Sequence, residues 1–169
     1  MSAFYRACIA GAIALSLAGV PAGAQSPLLD SPNRSIAKSS TVQYLFPEQI
    51  TVPAGKASAV ELHFRIAQGF HINSHTPKED NLIPTALSFP ADSGVQLASA
   101  IYPPGTEVAL PVDPQTKLNV YTGEFAIRAH IVAQRGNHLV NASLRYQACD
   151  QRACMPPKTI TVPIDVIGQ

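Results

Sequence analysis

Hydrophobic and polar positions alternate with a period of two over much of the chain. Val60, Leu62, Phe64 and Ile66 fall on one parity, and Glu61, His63 and Arg65 on the other. The same pattern returns in Phe125, Ile127, Ala129 and Ile131, in Val140, Ala142, Leu144 and Tyr146, and in Ile160, Val162, Ile164 and Val166. Successive side chains of an extended strand point to opposite faces, so each run predicts a strand with one face on a core and one in water. Thr85–Phe89, Val95–Ile101 and Leu118–Tyr121 are shorter strand candidates. Between the runs stand turn formers: Pro53-Ala-Gly55, Gln68-Gly69, Asp92-Ser-Gly94, Pro103-Pro-Gly105, Thr122-Gly123 and Gly136-Asn137. Fifteen prolines and the lack of a long 3.6-residue period oppose a helical fold. Roughly seven to nine short strands predict an all-β fold, an immunoglobulin-like antiparallel β-sandwich. The antibody arrangement of distant cysteines around a tryptophan is missing, since the chain has no Trp. Pro163 lacks a ladder donor and predicts that the last strand lies at a sheet edge.

The first residues follow a different logic. Arg6, the apolar run Ala7–Val20 and the small-x-small site Ala22-Gly23-Ala24 make residues 1–24 a secretory signal peptide, cleaved near Ala24. That run is too short to cross a bilayer as a helix, and no direct membrane insertion is expected. Residues 25–40, rich in Ser, Pro and Asn, read as a flexible leader, and residues 41–169 as one domain. The chain has 12 basic and 11 acidic residues, and losing Arg6 leaves 11 of each. A nucleic-acid partner needs a positive excess and is not expected.

Of the three cysteines, Cys8 belongs to the signal peptide that is removed. Cys149 and Cys154 remain, with four residues between them in Tyr146-Gln-Ala-Cys-Asp-Gln-Arg-Ala-Cys-Met-Pro-Pro157. Export places them where disulfides form and persist. The pair lies between two strand patterns, so both sulfurs belong to a loop at one end of the sandwich, where function usually sits. The ring it would close is small and stabilises modestly, by about 2 kcal/mol in the chain-entropy model. Arg152 lies between the cysteines, and positive charge favours the nucleophilic thiolate, although Asp150 opposes it. On spacing alone a structural clip is the commoner outcome in exported domains, and a redox site is the alternative.

Other chemistry finds less support. His71 and His75 have the His-x-x-x-His spacing, but on a strand end that spacing does not bring both rings to one face. Cys149, Cys154 and Met155 with a histidine would suit Cu(I), yet no further thiolate or tight histidine cluster accompanies them. No metal and no cofactor is expected. No Gly-x-Ser-x-Gly elbow or phosphate-binding glycine loop occurs. Asp150 and Gln151 read as solvated loop residues.

The flanks of the cysteines add a resemblance. Leu144-Arg-Tyr-Gln-Ala-Cys-Asp-Gln-Arg-Ala-Cys-Met-Pro-Pro-Lys158 resembles the corresponding segment of the family of N-terminal domains of thiol:disulfide interchange protein DsbD. Gly69-Phe-His-Ile-Asn-Ser-His-Thr-Pro77, Ile101-Tyr-Pro-Pro-Gly105 and Val120-Tyr-Thr-Gly-Glu124 support the match, which spans most of residues 42–167. The resemblance implies an immunoglobulin-like periplasmic module that carries electrons by thiol–disulfide exchange, a protein-disulfide reductase type of activity. It implies Cys154 as the thiol that attacks a partner disulfide and Cys149 as the one that resolves the mixed disulfide. It implies an aromatic cap, for which Tyr102 and Pro103 are the candidates, with Phe70 and His71 as further shielding residues; Arg152, by its charge, is the candidate for tuning the thiolate. The partners implied are thioredoxin-fold proteins, among them disulfide isomerases and factors of cytochrome c maturation. Because the chain ends at Gln169, the membrane-embedded thiol electron donor is expected to be a separate polypeptide. The alternative is a non-catalytic sandwich that binds a protein partner, its disulfide merely fixing a loop.

Overall fold

The computed structural model describes residues 40–45, 49–110 and 113–169. The signal peptide and all of the leader but Ser40 lie outside the described residues. In chain order the strands are β1 (Val42–Leu45), β2 (Gln49–Val52), β3 (Ala57–Ile66), β4 (His71–Asn73), β5 (Ala86–Ser88), β6 (Val95–Ile101), β7 (Thr106–Leu110), β8 (Asp113–Tyr121), β9 (Glu124–Ala133), β10 (Gly136–Tyr146), β11 (Ala148–Cys149) and β12 (Lys158–Gly168).

Two four-stranded sheets, ordered β1-β3-β9-β6 and β2-β12-β10-β5, form the immunoglobulin-like sandwich. Their inward parities are the alternating ones of the sequence. Leu62 and Phe64 of β3, Ile127 and Ile131 of β9, Val140 and Leu144 of β10, and Val162 and Ile164 of β12 belong to one buried cluster. Phe64 is fully buried and stacks on Phe125 with ring centroids 5.2 Å apart. Outward positions carry the charges, as in the Arg128–Glu61 and Arg65–Glu124 cross-strand pairs. These are exposed and contribute little to stability.

Two details differ from the expected antiparallel sandwich. β2 pairs with β12 in parallel, from Asp165↔Gln49 to Gly168↔Val52. The chain crosses between sheets after β1, which pairs with β3, so β2 runs alongside the final strand rather than returning against it. Hence β12 is not an edge strand throughout. Pro163 pairs with Asn141 of β10, and the parallel ladder to β2 begins only at Asp165, so the missing donor falls outside that ladder.

The sequence pattern did not announce a third sheet, ordered β11-β4-β8-β7. Each of three long strands continues into it: β3 through a turn into β4, β10 through Gln147 into β11, and β8 through Thr122-Gly123 into β9. Gly123 makes the last connection with φ 63°, a conformation that opposes a Cβ even where space is open. Gly123→Ala is therefore expected to lower stability by about 1–2 kcal/mol in denaturant melts. This sheet closes the end of the sandwich that carries the cysteines.

Candidate functional site: the disulfide hairpin

The cysteines form a bond, with S–S 2.06 Å, across a small hairpin inserted between β10 and β12. Asp150 N donates to Ala153 O at 3.0 Å, and Met155 N donates to Ala148 O at 2.8 Å. Cys149 and Cys154 thus face each other as a non-hydrogen-bonded antiparallel pair, the arrangement that brings opposite residues closest. Their Cα atoms lie 3.9 Å apart.

The turn has a built-in brace. Asp150 Oδ1 accepts from Arg152 N at 2.7 Å and from Ala153 N at 2.9 Å. Those two bonds, with the nearby Arg152 charge, hold its carboxyl below the usual carboxylate range. Asp150 is solvated as expected, but it also fixes the turn, a role typical of Asp at such positions.

The two sulfurs occupy different environments. Cys149, in β11, is 1% exposed, whereas Cys154 lies on the exposed return of the hairpin. The difference follows from register. β11 is held against β4, with Ala148 opposite Ile72 and Cys149 opposite His71. Cys154 faces only Cys149 across its own hairpin.

A buried polar network supports this floor. Asn73, fully buried, donates from Nδ2 to Ile83 O and to Gln147 Oε1, both at 3.1 Å. Gln147 Oε1 also accepts from Ile83 N at 3.2 Å, and its Nε2 donates to Met155 O at 3.3 Å. Thr85 Oγ1 closes the network by donating to Asn73 O at 2.6 Å. Asn73 and Gln147 escaped the sequence reading. Asn73 lies in a three-residue strand and Gln147 just past the alternating run of β10, so no periodicity marked either one.

His71 stands directly across β4–β11 from Cys149. Its Nε2 is buried and has no hydrogen-bond partner among the described residues. Burial pushes its imidazole below the ordinary histidine range, with Asp150 acting weakly in the opposite sense. Phe70 precedes it, partly buried against the core and lining an open groove with Gly69, Thr122 and Gly123.

Tyr102 and Pro103 are tied elsewhere on the same end sheet and its surroundings. The Tyr102 hydroxyl accepts from Leu87 N at 2.8 Å, and its ring stacks on His75 with centroids 3.8 Å apart. Burial raises its phenol above the ordinary range. Pro103 O accepts from the Tyr121 hydroxyl at 3.0 Å, and that hydroxyl accepts from His75 N at 3.1 Å. Gly105 passes so close to Asn119 that a Cβ would lie 2.0 Å from its Oδ1. The structure thus joins His71 to Cys149 by strand pairing and places Arg152 in the turn beside Asp150. It holds Tyr102 and Pro103 through β5, β8 and His75.

Residues 41–165 match the family model described as thiol:disulfide interchange protein DsbD, N-terminal. The crystal structure of the reduced DsbD N-terminal domain of Neisseria meningitidis is similar, with 22% sequence identity and a TM-score of 0.45. That match covers 68% of this chain and 82% of that one. No curated protein matches the chain. With the family model spanning nearly the whole described domain, the chain belongs to the DsbD N-terminal domain family.

Proposed function

We propose that this domain is a periplasmic electron carrier that passes two electrons through Cys149 and Cys154 to thioredoxin-fold proteins. The observation that carries this reading is the unequal exposure of the two sulfurs on a braced hairpin. Exchange needs one accessible sulfur to meet the partner and one protected sulfur to finish the reaction. In the reduced domain, the Cys154 thiolate attacks a partner disulfide. A Cys154–partner bond forms and one partner thiolate leaves. Cys149 then attacks Cys154 Sγ, the mixed disulfide breaks, and the second partner thiolate leaves. The partner has gained two electrons, and the Cys149–Cys154 bond is restored. A membrane-embedded thiol protein supplies the electrons for the next cycle.

Tyr102 and Pro103, with Phe70 and His71, serve as a cap that shields the Cys149 side of the pair and leaves Cys154 accessible. Their support is their location on or beside the end sheet and the fixed seating of the loop before β7. Arg152 favours the Cys154 thiolate, tempered by Asp150 beside it. Physiological acceptors fall among the proteins of disulfide isomerisation or cytochrome c maturation.

The test uses Cys149→Ser, which leaves Cys154 able to attack but removes the resolving thiol. Incubated with an oxidised thioredoxin-fold protein, it is expected to accumulate a covalent complex that dithiothreitol releases. Failure to form any complex, together with a native bond that resists a thioredoxin-fold reductant, would leave the pair as a structural clip.

A further inference from the structure

Resolution of the mixed disulfide demands something the exposed sulfur does not. Cys149 is 1% exposed, and burial in apolar surroundings disfavours the thiolate. Yet Cys149 must be a thiolate to attack Cys154 Sγ. Water has poor access to its proton, so a neighbouring base is required. Directly opposite residues of an antiparallel pair project from the same face, with Cβ atoms about 4.5–5.5 Å apart. The residue opposite Cys149 is His71, whose Nε2 is buried and bonded to no described group.

We propose that His71 is the base that takes the Cys149 thiol proton as the mixed disulfide on Cys154 is resolved. The inference rests on the exchange function proposed above. The proton moves from Cys149 Sγ to the neutral imidazole. The thiolate electron pair forms the bond to Cys154 Sγ, and the electrons of the Cys154–partner bond leave with the partner sulfur. The imidazolium then returns its proton to that leaving thiolate or to solvent, so charge and electrons balance.

The surroundings suit the task. Burial keeps His71 neutral near pH 7, the form a base requires, and Asp150 stabilises the imidazolium once formed. Arg152 faces Asp150 and moderates that effect. On the β8 side, the Ile72↔Tyr121 register brings Thr122, which does not titrate, level with His71, and the Tyr121 hydroxyl is committed to Pro103. Arg65 and Glu124, which line the groove beside Phe70, are paired with each other.

Oxidised glutathione serves as the test disulfide. The reduced domain is mixed with it, the reaction is quenched in acid, and mass spectrometry follows the reduced, glutathionylated and disulfide-bonded forms with time. In the wild-type domain, the resolution rate is expected to fall as His71 gains its proton, giving an inflection below the ordinary histidine value of about 6.5. In His71→Gln, glutathionylation of Cys154 is not slowed while resolution slows about 100-fold, and the inflection disappears. A wild-type resolution rate without an inflection overturns the role of His71 whatever the variant does. Equal slowing of both steps in His71→Gln also overturns it, because that marks a structural role. Failure of oxidised glutathione to convert the reduced wild-type domain to its disulfide-bonded form, with or without a visible intermediate, would instead remove the exchange reading on which this one stands.

Discussion

Iodoacetamide added to the reduced protein is expected to alkylate Cys154 at least about 100-fold faster than Cys149, because the reagent reaches a buried thiol only through local opening. Cys154 stands on the exposed return of the hairpin, and Cys149 is held at 1% exposure by the β11–β4 pairing. Peptide mapping after short exposures reads the ratio directly. The same asymmetry predicts unequal serine variants. Cys154→Ser should lose all exchange with a disulfide substrate, whereas Cys149→Ser should keep the first half of it. Comparable alkylation of both thiols would mean that β11 leaves β4 on reduction, and the division of labour between attacking and resolving sulfur would fail.

Asn73→Ala is expected to lower the unfolding free energy by about 2–4 kcal/mol, since a buried group deprived of its partner costs about 1–3 kcal/mol. The substitution removes the donor to Ile83 O and to Gln147 Oε1, two groups in a region with little water. Gln147 keeps its bond from Ile83 N and its bond to Met155 O, so the network weakens rather than collapses. Urea melts of oxidised and reduced protein give the measurement. The loss should be similar in both states, because the network lies beneath the hairpin and involves neither sulfur. Reduction alone should cost only about 2 kcal/mol, the contribution of a short ring in the chain-entropy model. A larger loss on reduction than on removing Asn73 would argue for a clip.

The sandwich was legible in the sequence because its long strands bury one face and wet the other. The four alternating runs carried by β3, β9, β10 and β12 turn the expected parity inward, apart from the half-buried Ile160. Alternation needs length to be visible, and β4 and β11 have three and two residues. Of the end sheet only part of β8 showed as pattern, in the candidate Leu118–Tyr121, although the sheet positions the cysteines. The parallel β2–β12 pairing was hidden for another reason: four residues cannot encode which neighbour they will meet. At the site, the pair and its place at one end were readable from composition and spacing. Which sulfur is buried was not, because that depends on the Cys149↔His71 register, a non-local match. Asp150 was underrated for a related reason. Its side chain bonds to backbone two and three residues ahead, a local role that exposure conceals.

The hairpin's backbone bonds lie on either side of the sulfur bridge: Asp150 N to Ala153 O at the tip, and Met155 N to Ala148 O at the base. Neither depends on the S–S bond, and the Asp150 carboxylate braces the tip regardless of oxidation state. Gaining or losing two electrons is therefore expected to leave the surrounding main chain where it was. On the proposed exchange function, a partner would meet the same surface before and after the transfer, with little reorganisation in each turn of the cycle. Docking and electron content are in this way separated. Such a carrier releases a spent partner by completing the chemistry and needs no change of shape to do so.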